Sequence, residues 1–213
     1  MDGCIQSCET DEVLYHESLV HPVLSATPLL KRVLIIGGGE GATLREVVKW
    51  SQVESIDMID WDEEIISLFQ TEYPQWADNA WKDPRVTLHI KDIFEEIITP
   101  PSMPYDCIIV DLFDPTPDAM MQWTILLKYL PQWISAIGSI VFYIGTDETA
   151  VDCIIKESPL LLTHHLIRYR VPIPSFSGNA MFALFTMDRS FSQSPSSIDP
   201  CEIWKAYIEA IVG

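Results

Sequence analysis

Two aspartates three residues apart, Asp111 and Asp114, sit at the end of an apolar run in Val110-Asp111-Leu112-Phe113-Asp114-Pro115. Carboxylates at that spacing on a loop can hold a cationic amine and accept its proton. Capping a following helix is the other use open to Asp114. Gly37, Gly39 and Ala42 have the G-x-G-x-x-A spacing, whose small residues permit a tight turn and close approach of a ligand to the backbone. Asp60 lies about 20 residues further on, at the end of the next predicted strand, where a carboxylate accepts hydrogen bonds from ribose hydroxyls or caps the helix beginning near residue 62. Glu40 narrows the ligand class. A negative charge inside the glycine loop repels a pyrophosphate, whereas it suits an adenosine sulfonium compound whose tail carries an ammonium and no carboxylate. Turned outward to solvent, Glu40 would select nothing.

These residues need strand ends and helix starts to hold them. Arg32-Val33-Leu34-Ile35-Ile36 reads as a short buried strand, followed by Gly37-Gly38-Gly39-Glu40-Gly41 and a helical ATLREVVKW. The alternation repeats: strand 53–60, helix 62–73 with Asp62, Glu63 and Glu64 at its positive end, and strand 86–92. Strands follow at 105–114 and 138–145, separated by a helical stretch from about Asp118 to Ala136 that Pro131 should kink. Upstream, 11–26 has apolar Val13, Leu14, Leu19 and Val20 and predicts a helix interrupted or ended near Pro22. Downstream come a helix around 147–157 and runs 164–173 and 180–188 that suit an antiparallel hairpin. A polar linker at 190–200 precedes a short closing helix.

The pattern predicts an α/β, Rossmann-like fold: a mostly parallel sheet with helices on both faces and an antiparallel C-terminal edge hairpin. With no internal repeat, residues 1–213 read as a single domain. In such a sheet, ligands lie beyond the carboxyl ends of the strands where strand order reverses. The glycine loop and Val110–Pro115 would both border that crevice, between the first and fourth strands.

Composition limits the partners. Thirteen basic and 31 acidic residues give a net charge of −18, which repels nucleic acid and anionic membrane and favours cations such as polyamines. Acidity that serves solubility alone is the competing reading. The five cysteines, Cys4, Cys8, Cys107, Cys153 and Cys201, lack zinc spacing and read as reduced structural thiols. No signal peptide or membrane-spanning run is evident, so a cytoplasmic location is expected. His16 and His21 are five apart without a third convergent ligand, which gives no reason to expect a metal.

Taken together, several segments resemble the spermidine and thermospermine synthases of the polyamine aminopropyltransferase family in order and spacing. They are Asp2-Gly3-Cys4-Ile5-Gln6, the run from Asp11 to Pro22 (DEVLYHESLVHP), Arg32 to Glu46, Asp92 and Val110 to Pro115. The Gly-Gly-Gly-Glu-Gly loop and Pro174-Ser175-Phe176 resemble the thermospermine branch somewhat more. The resemblance implies a transferase of polyamine biosynthesis. It would move an aminopropyl group from decarboxylated S-adenosylmethionine to an amine such as putrescine or spermidine, release methylthioadenosine and use no metal. By the same resemblance Gln6, Asp60, Asp92 and Ile93 contact the adenosine part, with Pro117 joining them across a one-residue gap, while Gly37, Gly39 and Gly41 line the nucleotide loop. Glu40 holds the aminopropyl amine, Asp111 is the catalytic acid residue, and Tyr15, His16 and Asp114 position the acceptor.

Three departures accompany the resemblance. The family has a small amino-terminal β-domain before its Asp-Gly-x-x-Gln segment, whereas Met1 here precedes Asp2; that domain is therefore expected to be missing, and a familiar oligomer contact is expected to be absent or supplied differently. A homodimer stays open. The family often places an acceptor-contacting Gln where Ile144 stands, so a polar contact is expected to be lost. Its Trp-Gly pair falls at Ala180-Met181, which predicts an altered acceptor pocket. An S-adenosylmethionine-dependent methyl- or alkyltransferase on the same fold, and a noncatalytic nucleotide- or polyamine-binding relative, are the alternatives.

Overall fold

Short apolar runs form the strands expected of them. A computed structural model describes residues 5–146, 155–156 and 158–189. Its strands are β1 (Arg32–Gly37), β2 (Ser55–Asp60), β3 (Val86–Ile90), β4 (Tyr105–Asp111), β5 (Ile134–Tyr143), β6 (His165–Ile173) and β7 (Gly178–Thr186). They make one seven-stranded sheet among the described residues, ordered β3-β2-β1-β4-β5-β7-β6. The pairs within β1–β5 are parallel, and β7 runs antiparallel to both β5 and β6. The expected Rossmann-like sheet and edge hairpin are therefore present. Strand order reverses between β1 and β4, where Gly37 stands opposite Asp111.

Strand alternation sorts the apolar side chains into two cores, one on each face. Val33, Ile35, Cys107, Ile109, Val141 and Phe182 pack with the helices α1 (Glu12–Ser25) and α2 (Ala42–Val48). Leu34, Ile36, Ile108, Val110, Phe142 and Phe185 pack on the other face. Of the remaining helices, α3 (Glu63–Thr71), α4 (Ile93–Glu96) and α5 (Met120–Tyr129), the last two cover that second core through Ile93, Trp123 and Leu126. No helix among the described residues is long and apolar enough to cross a membrane.

The structure corrects the sequence reading at several points. Helix α1 runs through Pro22 rather than ending there. Proline cannot donate to the carbonyl four residues back, but the Tyr169 hydroxyl donates to that Ser18 carbonyl at 2.8 Å and replaces the missing partner. The Ala26 carbonyl beyond it accepts the Thr186 hydroxyl at 3.0 Å, tying the helix end to β7. Val13, expected on the apolar face of α1, is exposed, while Tyr15 and His16 are buried.

The helix expected from 118 to 136 is α5 alone. Pro131 falls in a 3-10 turn at Leu130–Gln132, and β5 begins at Ile134 rather than at 138. Strand β3 stops at Ile90, because Asp92 leaves the sheet to cap α4. Strand β4 stops at Asp111 rather than running to 114, and β2 begins at Ser55. The helix expected at 147–157 lies almost wholly outside the described residues, and the linker and closing helix lie wholly outside them.

Candidate active site

The glycine loop is shaped by the strand beside it. Gly37 has φ +84°, and a Cβ there would sit 2.1 Å from the Asp111 carbonyl oxygen, so only glycine lets β1 turn against β4. Gly41, also at positive φ, opens α2 with its edge against Trp81; an added Cβ would lie 2.6 Å from the indole. The loop then brings Glu40 beside the buried face of α1.

Asp111 occupies the carboxyl end of β4 and takes two hydroxyl donors. Tyr15 donates to Oδ1 at 2.8 Å and Thr43 to Oδ2 at 2.6 Å. Burial and the neighbouring Glu40 charge push its carboxyl above the ordinary range, against the pull of His16 and the two hydroxyls. For Glu40, burial is outweighed by the hydrogen bond and charge of His16, and its carboxyl is held lower than usual. The neighbouring carboxylates are thus driven in opposite directions, the pattern that separates a stable anion from a proton acceptor.

His16 links them. Its Nε2 is 2.9 Å from Glu40 Oε1 and 4.0 Å from Asp111 Oδ2, while Nδ1 is 2.7 Å from the Glu12 carbonyl and 3.0 Å from Glu12 Oε2. Burial opposes charge on the ring, but the bonds to Glu12 and Glu40 prevail and raise its pKa to about 10. Glu12 in turn takes two Arg45 nitrogens at 3.0 Å each, and Arg45 Nε reaches Glu46 at 2.8 Å. Glu46 completes the chain with His21 and Lys49. Sequence reading missed Glu12, Thr43, Arg45 and Glu46. The local signals were the i,i+4 spacing of Glu12 and His16 and the i,i+3 spacing of Glu46 and Lys49, each of which places a pair on one helix face.

Asp60 ends β2. Its Oδ1 accepts the Asp62 amide at 2.9 Å, and Asp62, not Asp60, caps α3 through Ile65. The Gly39 amide also bonds the Asp60 carboxylate, which burial raises above its ordinary value. Asp92 caps α4 by accepting from Phe94, Ile93 is buried behind it, and Pro117 begins an exposed 3-10 turn at Pro117–Ala119. Gln6 is exposed in the segment before α1. The structure gathers Tyr15, His16, Glu40 and Asp111 into one cluster, hydrogen-bonded in the pairs Tyr15–Asp111 and His16–Glu40 and bridged by the 4.0 Å approach of His16 to Asp111, with Gly37 behind Asp111; it does not join Gln6 to that cluster by any described hydrogen bond.

Asp114 does not cap a helix; its carboxylate bonds the Tyr143 hydroxyl, whose own ionisation is pushed up by burial and by that charge. The Ile144 side chain, where a polar group was expected to be missing, points into the second core with Met181. Tyr143, one residue earlier, faces Tyr15 with ring centroids 5.4 Å apart, and Phe176 stands 5.7 Å from Tyr15. Asp11 fixes the Pro174–Phe176 turn by accepting from the Ser175 amide and hydroxyl at 2.7 and 2.9 Å. Ala180 is buried in the same core as Tyr15 and Tyr143.

A doubly wound sheet with a glycine turn, a strand-end acid and a carboxylate pair at its reversal point defines an α/β protein of the Rossmann-like class. Residues 12–129 match the Spermine/spermidine synthase domain, and the chain belongs to that family. It is 48% identical over 117 residues to polyamine aminopropyltransferase 1 of Hyperthermus butylicus, covering 54% of this chain and 40% of that protein. A polyamine aminopropyltransferase of Aeropyrum pernix is 32% identical over 194 residues, which is 89% of this chain and 62% of that one. The chain thus spans only part of the length of these relatives. Among solved structures, spermidine synthase from Thermotoga maritima superposes with a TM-score of 0.74 at 24% identity, over 96% of this chain and 68% of the other. A spermidine synthase in complex with the transition-state analogue AdoDATO gives 0.77 at 23% identity, over 100% and 79%. Both likenesses establish the fold.

Proposed function

We propose that this chain is an aminopropyltransferase that transfers the aminopropyl group of decarboxylated S-adenosylmethionine to a diamine or polyamine such as putrescine or spermidine. The observation that carries this reading is the carboxylate pair around His16. Glu40 is held ionised inside the nucleotide loop, and Asp111, with its raised pKa, faces it from the end of β4. The residues fit the co-substrate. Asp60 stands at a strand end for ribose hydroxyls, with Asp92, Ile93, Gln6 and Pro117 offered for the adenosine part. Beside its bonds to His16 and to its own backbone amide, the ionised Glu40 carboxylate is offered to the ammonium of the tail.

In this reading the sulfonium is already an activated electrophile, so the protein's task is delivery and proton removal. The neutral acceptor amine attacks the carbon bound to sulfur. A C–N bond forms, the C–S bond breaks with its electron pair going to sulfur, and methylthioadenosine leaves as a neutral thioether. The proton released from the new ammonium passes to Asp111. Tyr15 and Asp114 hold the acceptor in line, and residues 1–213 act as one catalytic domain. The net charge of −18 supports a cationic acceptor and, with the free thiols Cys8 and Cys107, a cytoplasmic setting.

The test is incubation with decarboxylated S-adenosylmethionine and a panel of diamines and polyamines, followed by mass detection of methylthioadenosine and the extended amine. Release of both supports the reading, and no product from any amine rejects it. Decarboxylated S-adenosylmethionine is also expected to bind more tightly than S-adenosylmethionine, because Glu40 attracts the tail ammonium and repels a tail carboxylate. Glu40→Gln should narrow that gap in calorimetry. Equal affinities in the unmodified protein would favour a methyltransferase instead.

Asp60→Ala should weaken methylthioadenosine binding by about 1–3 kcal/mol with no amine present, the cost of lost ribose hydrogen bonds. Asp114→Ala should act mainly through the acceptor. Unchanged nucleotide affinity in Asp60→Ala would leave Asp60 as no more than the acceptor of the Asp62 amide.

A further inference from the structure

Every hydrogen-bond partner of the His16 ring is an acceptor. Nδ1 faces the Glu12 carbonyl at 2.7 Å and Glu12 Oε2 at 3.0 Å, and Nε2 faces Glu40 Oε1 at 2.9 Å. A neutral imidazole carries a single N–H, so one nitrogen would be turned lone pair to lone pair against an oxygen. The ring is 1% exposed, and water cannot repair that mismatch. A doubly protonated ring satisfies both sides.

The groups facing His16 reinforce this. Glu12 and Tyr15 come from its own helix, Glu40 from the glycine loop and Asp111 from β4. Arg45 from α2 fixes Glu12 through both carboxylate oxygens and also donates to the Trp76 carbonyl at 2.7 Å. Glu12 therefore cannot swing away from His16 without leaving the Arg45 guanidinium short of its bidentate partner.

We propose, resting on the aminopropyl-transfer reading, that Glu12 is a positioning residue: held by Arg45, it keeps both His16 nitrogens protonated and makes the imidazolium a fixed counter-cation between Glu40 and Asp111. The consequence is a matter of charge. Glu40 and Asp111 supply two negative charges and His16 returns one positive charge, so the group balances one ammonium and not two. The ammonium of the donor's tail takes that place, and the acceptor's reacting nitrogen, beside a buried cation, is driven to its neutral and nucleophilic form. The terminal cations of the acceptor lie further out, at Asp114. His16 is thereby assigned an electrostatic role in selecting the amine's protonation state, beyond holding the acceptor in place.

The test is nitrogen-15 NMR of the protein labelled at its five histidines, with the His16 signal assigned by its loss in His16→Gln. At about pH 8, where an ordinary histidine is neutral, both His16 ring nitrogens should still show the protonated signature. In Glu12→Gln, which keeps an acceptor but removes a charge, the transition should move down between the ordinary 6.5 and the raised value of about 10. A neutral His16 ring at pH 8 in the unmodified protein overturns the proposal, as does an unaltered transition in folded Glu12→Gln. Should that variant not fold, the unmodified protein decides alone.

Kinetics give the second arm. In His16→Gln, which cannot carry charge, the rising limb of kcat against pH should shift upward by about one to two pH units, because the bound amine no longer sits beside a cation. An unshifted limb in an active variant overturns the role given to the imidazolium. An unmodified protein that transfers nothing, but whose His16 stays doubly protonated, removes the aminopropyl reading and leaves Glu12's hold on His16 standing.

Discussion

Asp111→Asn is expected to lower the proposed aminopropyl transfer by about 10²–10⁴-fold, the usual contribution of a positioned acid–base group. The substitution preserves shape and one of the two acceptor oxygens. Tyr15 and Thr43 now donate to Oδ1 and Oδ2, and a rotated hydroxyl can accept from the new amide at whichever position loses its oxygen. Folding and nucleotide binding should therefore survive, with a stability change of about 1 kcal/mol. What disappears is a carboxylate that burial and Glu40 have made more basic than usual. Raising the pH should recover part of the rate, since more of the acceptor amine is then neutral before it binds. The measurement is product formation at saturating nucleotide, paired with a thermal melt. A near-normal rate in a folded variant would remove Asp111 from the proposed mechanism.

The largest effect on stability is expected at Glu46. Its side chain is 0% exposed and receives Arg45, Lys49 and His21 at 2.8, 2.6 and 3.1 Å. Glu46→Ala leaves the Arg45 guanidinium and His21 without that partner in the α1–α2 interface, and removing one member of a buried ion pair costs about 3–5 kcal/mol. Urea denaturation should show the loss as a lower midpoint. A change under about 1 kcal/mol would mean that water reaches the network and screens it.

Acid should reproduce part of this effect. Burial raises the Glu46 pKa, but the bonds to His21 and Lys49 overcome it and hold the group at about 2, below its ordinary 4.5. The folded state therefore binds this proton less readily than the unfolded chain does. The resulting stabilisation is present above pH 4.5 and is lost as pH falls through about 2. His16 behaves oppositely. With its pKa raised from 6.5 to about 10, its contribution is full below 6.5 and is lost as pH rises through about 10.

What could be read from the sequence was whatever follows from neighbours along the chain. Continuous apolar runs such as Val33–Ile36 and Cys107–Val110 need two covered faces, and so predict buried parallel strands. Three successive glycines before a helical run announce a turn that side chains would block, and Asp60 and Asp111 were legible as strand-end carboxylates because each closes a segment that reads as a strand. The tertiary structure decided what depends on residues far apart. Pro22 stays within α1 because a hydroxyl from Tyr169, 151 positions away, reaches the Ser18 carbonyl. Tyr143 rather than Ile144 meets Asp114 because strand parity turns adjacent side chains to opposite cores. The sequence alone assigned no role to Glu12, Arg45 or Glu46; packing α1 against α2 brought these charges together inside the protein. Once water is excluded there, each charge needs a partner, and the partner of Glu12 is the histidine that stands between Glu40 and Asp111.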